Sequence, residues 1–191
     1  MAELPLVLVV SPSIPVSTVP ELVAWVKADP GKVNYASDGI GSSTHLAAEM
    51  FNDALGLKAV HLPFKGTVAT SQAVVTGDAH YAFSGILTPL PLHRAGRLKI
   101  VAVGGTAPAS ALPGIPVLAD AAMLPGFEAS SWFAFYAHKD VPAERIALLN
   151  AELQRVGMLP DVVERFAGMG LQTRAMTAQQ LAQRVQAEFA G

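Results

Sequence analysis

Short apolar runs typical of buried strands alternate with longer segments of helical periodicity through residues 6–137 of the 191-residue chain. The apolar runs predict strands at 6–10, 32–36, 58–62, 79–83, 98–103 and 128–137. The segments between them predict helices at 43–55, 67–76, 87–95 and 117–123, and a first helix from a cap at Ser17 or Thr18 to residue 28. This alternation favours an α/β layer with a mostly parallel sheet.

From Pro142 onward the pattern predicts helices alone, at 142–157, 160–166 and 177–189. Thr177 and Gln180 have the spacing of a capping box at the start of the last helix. Three amphipathic helices in succession need an apolar surface to lie against. We therefore expect this part of the chain to pack on a further element of the fold.

Two apolar patterns predict which side chains are buried. In the helix at 43–55, helical spacing puts four apolar residues on one face: Leu46, Met50, Phe51 and Leu55. In the apolar run at 128–137, four aromatic residues suit burial in a long strand: Trp132, Phe133, Phe135 and Tyr136.

Composition and charge exclude several classes of function. With 51% hydrophobic and 15% charged residues the chain is globular. A formal net charge of −2 provides no basic field for a phosphate backbone, so no nucleic-acid partner is predicted. The absence of cysteine excludes disulfides and thiolate nucleophiles.

The apolar run after Glu3 contains Pro5 and predicts a buried strand, not an export signal. No stretch of the sequence approaches the roughly 20 apolar residues of a membrane span.

The stretch NYASDGIGSSTH, residues 34–45, joins a predicted strand to a predicted helix. Gly39 and Gly41 permit positive φ and close backbone approach, and Ser42, Ser43 and Thr44 add hydroxyl donors. In this geometry, backbone N–H groups converge on an anion at the positive end of a helix. A turn with a serine cap and no ligand explains the same residues.

A dinucleotide site is a second interpretation of this stretch, with Gly39, Gly41 and Thr44 in the three glycine positions of G-x-G-x-x-G. Such a site also needs an acidic residue about 20 positions further on to bind a ribose. Residues 60–62 are Val-His-Leu, and no Lys-Ser or Lys-Thr pair completes a Walker loop. Nucleotide binding is therefore disfavoured.

A serine hydrolase is a third interpretation, because Ser42 and His45 lie three residues apart at the start of a helix. The G-x-S-x-G motif is absent, and a histidine one turn inside an apolar helix is more often a packed or capping residue.

The five histidines lack the short spacings of metal ligands. Each is therefore interpreted singly, as a core or surface histidine, and no metal site is predicted.

Four collinear segments carry a resemblance to a known family: residues 6–51, which include the 34–45 stretch, VHLPFKGTVA at 60–69, LPGIPVLAD at 112–120 with the run to 137, and VPAERIALLNAELQRV at 141–156. Together they resemble the Bug family, the extracytoplasmic solute receptors of tripartite tricarboxylate transporters. The similarity extends from about Leu4 to the C-terminus.

The resemblance implies a periplasmic-binding-protein-like fold of two α/β lobes that close around a small carboxylic acid without catalysis and without a cofactor. It implies a periplasmic location and, as partners, a di- or tricarboxylate and the membrane subunits of a transporter. Residues 6–126 would form the complete second lobe, and 127–191 the crossing strand and C-terminal helices of a first lobe. The front part of that lobe, on the order of 100 residues, is expected to be missing from this chain.

An incomplete first lobe leads to a further expectation. The C-terminal helices should expose their apolar faces, and the chain should then tend to self-associate. An oligomer without a ligand function is thus a further alternative, beside a small α/β hydrolase or nucleotide-dependent enzyme.

The resemblance also implies where the ligand binds. The 34–45 stretch matches the family's carboxylate-binding loop Y-A-S-x-G-x-G-S-S-x-H-L, and residues 64–67 match its P-Y-K-G turn. The candidate ligand-binding residues are Ser37, Asp38, Gly39, Gly41, Ser42, Ser43, Lys65, Gly66, Thr67 and Ser84. No catalytic residue is implied, and Lys65 either attracts acids or is an ordinary solvated lysine.

Two residues depart from the family pattern. Asp38 stands where members commonly have a small or polar residue, and an anionic side chain there weakens acid binding unless it points to solvent or meets a ligand amine. Ser84 stands where the family often has the aspartate of F-D-N. Both departures bear on which acid is bound.

Overall fold

The computed structural model describes residues 2–168 and 170–190, and for 188–190 the backbone only. These residues form two compact units: a large unit of residues 4–131, and a small unit of 132–190 together with residues 2 and 3. The sequence predicts the boundary after residue 126, and the structure has it after Ser131. The correspondence of each unit to a lobe of a receptor stays a prediction.

The strands of the described chain are β1 (Ala2–Val10), β2 (Asn34–Ser37), β3 (Val60–Pro63), β4 (Tyr81–Gly85), β5 (Lys99–Val103), β6 (Ser130–Phe133) and β7 (Gln172–Thr173). The sheet of the large unit has the strand order β3-β2-β4-β1-β5. β2 is parallel to both of its neighbours, β3 and β4. The short β7, which the sequence pattern did not predict, pairs with β1 at Ala2 and Glu3 in the small unit.

The α/β class is confirmed, and one strand is reversed. β1 pairs antiparallel with both β4 and β5, so β2, β3, β4 and β5 point one way and β1 points the other. The sequence pattern does not reveal this reversal. A strand buried on both faces has the same continuous apolar run in either direction.

The helices of the described chain are α1 (Val19–Ala28), α2 (Ser43–Leu55), α3 (Thr67–Thr76), α4 (Pro89–Arg94), α5 (Leu118–Ala121), α6 (Ala143–Gly157), α7 (Pro160–Gly168) and α8 (Ala178–Ala190). Both ends of α2 and α3 are where the sequence predicts them. The capping box of α8 is confirmed: the Thr177 N–H donates to Gln180 Oε1 at 2.9 Å, and the Gln180 N–H donates to Thr177 Oγ1 at 3.1 Å. None of the described helices is long and apolar enough to cross a membrane.

The core of the large unit lies on both faces of β1. Leu6, Leu8 and Val10 belong to one apolar cluster, which α1 and α2 cover. Val7 and Val9 belong to the other, which α3 covers. The prediction that this strand is buried on both faces is confirmed.

The predicted apolar face of α2 is only partly correct. Leu46 and Met50 are each more than half exposed, whereas Phe51 is fully buried. Ala47 and Ala48 are buried beside Phe51. These small side chains let the helix lie close to the sheet, so the buried face is centred one residue away from the predicted one.

The predicted burial of aromatic residues after β6 is wrong. The strand ends at Phe133 and does not reach residue 137. Phe133, Phe135 and Tyr136 are 58%, 82% and 70% exposed. An apolar run is buried only where neighbouring elements cover it, and the described part of the small unit leaves these rings uncovered. Trp132 differs from them, because the Arg184 guanidinium carbon lies 5.7 Å from its ring centroid.

The C-terminal helices expose apolar side chains, as expected from the sequence. Leu148, Leu149 and Leu153 of α6 are all exposed. The small unit also contains a buried charge: the carboxylate of Glu3 accepts from Arg174 Nε at 2.8 Å and from Arg184 at 3.0 Å. Pairing of this kind lets a carboxylate remain ionised out of water.

Two phenylalanines provide a matched test of this core. Phe83→Ala should lower the free energy of unfolding by about 3–5 kcal/mol, because it empties a fully buried site between β4 and α2. Phe135→Ala should change it by less than about 0.5 kcal/mol, since that ring is exposed. Urea unfolding followed by circular dichroism measures both, and equal losses would contradict the burial described here.

Candidate functional site

The candidate site lies where three parallel strands end. β2 pairs with β3 from Asn34↔Val60 to Ser37↔Pro63, and with β4 at Tyr35↔Tyr81. The carboxyl ends of the three strands therefore meet at one edge of the sheet. The segment 38–42 leads from β2 into α2, the segment 64–66 leads from β3 into α3, and Ser84 lies near the end of β4. Sequence-predicted site residues from three separate segments thus come to one edge.

Three glycines shape these two loops. Gly39 and Gly41 have φ of 129° and 78°, and Gly66 has φ of 87°. A side chain is strained in this region of φ, so glycine is required by the backbone conformation. The positive φ expected at Gly39 and Gly41 is confirmed.

Several amides of the 38–45 segment are used within the loop itself. The Asp38 N–H donates to Thr44 Oγ1 at 2.9 Å. The Gly39 N–H donates to Ser37 Oγ at 3.2 Å, and the Gly41 N–H donates to His45 Nδ1 at 3.3 Å. The sequence predicts a set of converging amides, and these donors are instead taken by side chains close by in the chain. They stabilise the loop rather than point into the site.

Three amides of the same segment donate to no acceptor among the described residues: those of Ile40, Ser43 and Thr44. Ser43 and Thr44 are the first two residues of α2, whose N-cap is Ser42. The first N–H groups of a helix have no partner within it and lie at its positive end. An anion held here meets oriented amides without any Lys or Arg.

The hydroxyl of Ser42 serves as a helix cap. It donates to the Gly39 carbonyl at 2.7 Å and accepts from the His45 N–H at 3.2 Å. The His45 ring accepts from the Gly41 N–H. Because the hydroxyl contacts the backbone of His45 and not its ring, these two residues do not form the base-activated pair that a serine nucleophile needs.

Asp38 links the two loops. Its carboxylate accepts from Thr67 Oγ1 at 2.8 Å and from Thr70 Oγ1 at 2.7 Å, both in the first turn and a half of α3. Its backbone carbonyl accepts from the Gly66 N–H at 3.4 Å. The carboxylate therefore neither points freely to solvent nor lies unpaired. It lies at the positive end of α3, where a negative charge is favourable.

The remaining predicted residues have different surroundings. Ser37 and Ser84 are fully buried. The Ser37 hydroxyl is 2.6 Å from His61 Nε2, and the Ser84 hydroxyl donates to the Gly85 carbonyl at 3.2 Å. Lys65 is exposed at the tip of the β3–α3 loop. Neither serine hydroxyl is presented to solvent, and Ser37 supports the loop by accepting from the Gly39 N–H.

Four aromatic rings stack beneath the loop, and we call them the ring stack: Tyr81, Tyr35, His61 and His45. Tyr35 is in register with both Tyr81 and His61, and side chains in register on neighbouring strands point to one face. The ring centroids are 5.7 Å apart for Tyr35–Tyr81, 4.8 Å for Tyr35–His61 and 4.1 Å for His61–His45. The interpretation of each histidine singly was therefore incorrect, because strand register brings His61 under α2.

Burial sets the protonation of this stack. It raises the pKa of Tyr35, together with the hydrogen bond that its hydroxyl donates to Glu49. Burial also raises the pKa of Tyr81, whose hydroxyl donates to Asn52 Oδ1 at 2.6 Å. Burial lowers the pKa of His61, and the neighbouring His45 lowers it further. Both tyrosines and His61 are therefore neutral at pH 7.

No cluster of three or more metal-ligating side chains occurs in the part of the chain that the structure describes. The donors at the strand ends are backbone amides and hydroxyls. Groups of this kind bind an oxyanion rather than a metal ion.

A family model described as the tripartite tricarboxylate transporter family receptor matches residues 1–190. The chain belongs to this receptor family. The Bug-family resemblance of the sequence is thereby confirmed. BugT of Bordetella pertussis is 31% identical over 170 residues, which are 89% of this chain and 52% of BugT. The chain spans about half the length of the curated relatives it matches.

Solved structures of similar proteins have the same fold. Rpa4515 of R. palustris, solved with adipate, has a TM-score of 0.91 at 26% identity, over 100% of this chain and 63% of that chain. MatC from Rhodopseudomonas palustris, with bound malate, has a TM-score of 0.84 at 27% identity, over 99% of this chain and 65% of that chain. The periplasmic-binding-protein-like architecture expected from the sequence is confirmed.

Three contacts of the candidate site escaped sequence reasoning. Thr44 holds the loop through the Asp38 N–H, Thr70 binds the Asp38 carboxylate, and His61 lies under the Ser37 hydroxyl. The position of His61 could have been predicted from the alternation of strands, because parallel pairing of the strands at 32–36 and 58–62 sets it beside Tyr35. No local pattern indicates the contact between Asp38 and Thr70.

Two partly buried histidines predict a pH dependence of stability. Burial lowers the pKa of both His61 and His80, and His80 Nδ1 accepts from the Asn34 N–H at 2.9 Å, which requires that nitrogen to be unprotonated. As the pH falls below about 6.5, the unfolded chain binds protons at these residues before the folded chain does. The stabilising effect is thus complete above that pH and is lost as the pH falls through the folded-state pKa.

The free energy of unfolding should therefore decrease as the pH is lowered from about 7.5 to 5.5, as measured by urea titration at several pH values. His80→Gln should flatten this decrease. Stability that is constant or rises toward pH 5.5 would contradict the inferred burial of the two rings.

Proposed function

We propose that the chain is a solute-binding part of an extracytoplasmic receptor, and that it captures a small organic acid at the N-terminus of α2. The observation that carries this proposal is the set of three amides without partners, at Ile40, Ser43 and Thr44, in the segment that matches the family's ligand loop. A carboxylate there would receive charge-assisted hydrogen bonds and the favourable end of the helix dipole.

The class of ligand rests on the chemistry of the loop and on the family. Backbone amides recognise a carboxylate without selecting the rest of the molecule, so a short di- or tricarboxylate or a related acid is the proposed solute. Adipate and malate occur in solved structures of similar proteins and are rational first probes. The periplasm and the membrane subunits of a tripartite transporter are the proposed location and partners.

The proposed site has contributions from three segments. The N-terminus of α2 receives the carboxylate, and the 64–67 turn forms the adjacent rim. Ser37 supports the loop through the Gly39 N–H, and Ser84 lies near the end of β4. The large unit would then be one complete lobe of the receptor. The small unit would belong to the other lobe, and self-association through the exposed apolar residues of α6 stays a prediction.

No covalent step is part of the proposal. A hydrolase using Ser42 and His45 is disfavoured because the Ser42 hydroxyl caps α2 and the His45 ring accepts from the Gly41 N–H. Ester turnover by this chain that is lost in Ser42→Ala would overturn the receptor proposal.

Ser43 permits a sharp test of the amides. It is the first residue of α2, where proline is tolerated, and the preceding Ser42 has φ −69° and ψ 159°, which suit a residue before proline. Ser43→Pro deletes one unpartnered N–H and leaves the helix intact. Affinity for adipate, measured by calorimetry, should fall roughly tenfold or more, since a hydrogen bond to a charged group contributes about 1.5–3 kcal/mol.

Ser43→Ala is the matched control. It removes the hydroxyl, which accepts from Ser131 Oγ at 2.7 Å, and keeps the N–H, so most of the affinity should remain. The neutral diamide of adipate should not bind to either form. Unchanged affinity in Ser43→Pro, or an equal loss in both variants, would count against carboxylate binding by these amides.

A further inference from the structure

All hydrogen-bonding groups of Asp38 have partners in or beside the two loops of the candidate site. Its N–H donates to Thr44 Oγ1, its carbonyl accepts from the Gly66 N–H, and its carboxylate accepts from Thr67 and Thr70. Thr70 is fully buried, so one of these contacts is shielded from water. The side chain is therefore held against α3, while the backbone N–H is held by Thr44 of α2.

The position of the carboxylate matters for the ligand. α3 has no side-chain cap of its own, because its N-cap is Gly66. The carboxylate of Asp38 lies at this end of α3 and neutralises its positive pole. Of the two helices that begin at this edge of the sheet, α3 already holds an anion that belongs to the protein, and α2 retains amides without partners.

The two helix ends are close to each other. The Asp38 backbone is 2.9 Å from the hydroxyl of Thr44, the second residue of α2, and the carboxylate lies on the same residue. A fixed negative charge so near to a bound acid repels a second carboxylate and attracts a cation.

We propose that Asp38 is a specificity-determining residue, and that among the small acids proposed above it favours those with one carboxylate at α2 and a neutral or cationic group beside α3. This inference rests on the proposed function and adds the ligand class. A protein carboxylate takes the place of a second ligand carboxylate, so a dianion binds less well than an equally long acid with an uncharged or ammonium end.

Three probes of similar length isolate this effect: adipate, its monomethyl ester and 6-aminohexanoate. They carry a carboxylate at one end and a negative, neutral or positive group at the other. The wild-type chain should bind adipate more weakly than the monoester, and 6-aminohexanoate at least as tightly as the monoester. Calorimetry of the full chain measures the three dissociation constants.

Asp38→Asn removes the charge with little change of shape, and it should shift the adipate-to-monoester affinity ratio toward adipate by roughly fivefold. Asp38→Ser, with a smaller polar side chain, should shift the ratio in the same direction. If the substitution only loosened the loops, the affinity for all three probes would fall together and the adipate-to-monoester ratio would stay unchanged. The ratio therefore separates a role in specificity from a purely structural role.

Asp78→Asn is the matched control. Asp78 also accepts from a threonine of α3, Thr76 Oγ1 at 2.7 Å, but it follows the opposite end of that helix. The variant removes the same charge from the chain and should leave the ratio as in the wild type.

The outcomes separate the two proposals. If the wild-type chain binds the probes and neither Asp38 variant changes the ratio, the specificity role is overturned and the proposed function stands. If Asp78→Asn shifts the ratio as much as Asp38→Asn, net charge is responsible and the specificity role is also overturned. If the wild-type chain binds none of the probes, the proposed function is overturned, and this inference with it.

Discussion

The parallel pairing of β2 with β3 and β4 is the constraint on which the candidate site depends. It brings three strand ends to one edge of the sheet, and the loops that follow β2 and β3 then lie side by side. The same register places Tyr35 between Tyr81 and His61, so the ring stack supports the loop from below. One backbone interaction therefore positions both the donors and the platform beneath them.

Within this frame, the loop after β2 divides its donors between two tasks. The amides of Asp38, Gly39 and Gly41 donate to nearby side chains and fix the loop, whereas those at Ile40 and at the start of α2 have no acceptor in the described chain. A binding site made of backbone groups needs this rigidity, because amides that reorganise on binding lose part of the energy they provide. Asp38 contributes to the same rigidity from the opposite side by binding α3.

Much of the fold follows from local patterns in the sequence. The ends of α2 and α3 were predictable because Gly56, Gly66 and Gly77 punctuate clear helical segments. The direction of β1 was not predictable, since burial on both faces leaves no mark of direction. The exposure of Phe135 was also not predictable, because local hydrophobicity does not reveal whether anything covers a side chain.

The candidate site shows the same limit. The loop, its glycines and the cap at Ser42 were predictable from local spacing, but the hydrogen bonds of the Asp38 carboxylate to Thr67 and Thr70 depend on residues that the fold brings near. The most direct measurement is an NMR titration of the ¹⁵N-labelled chain with adipate. Carboxylate binding at α2 should give the largest amide shifts at Ile40, Ser43 and Thr44. Unchanged resonances of these three amides, together with shifts at the first residues of α3, would contradict it.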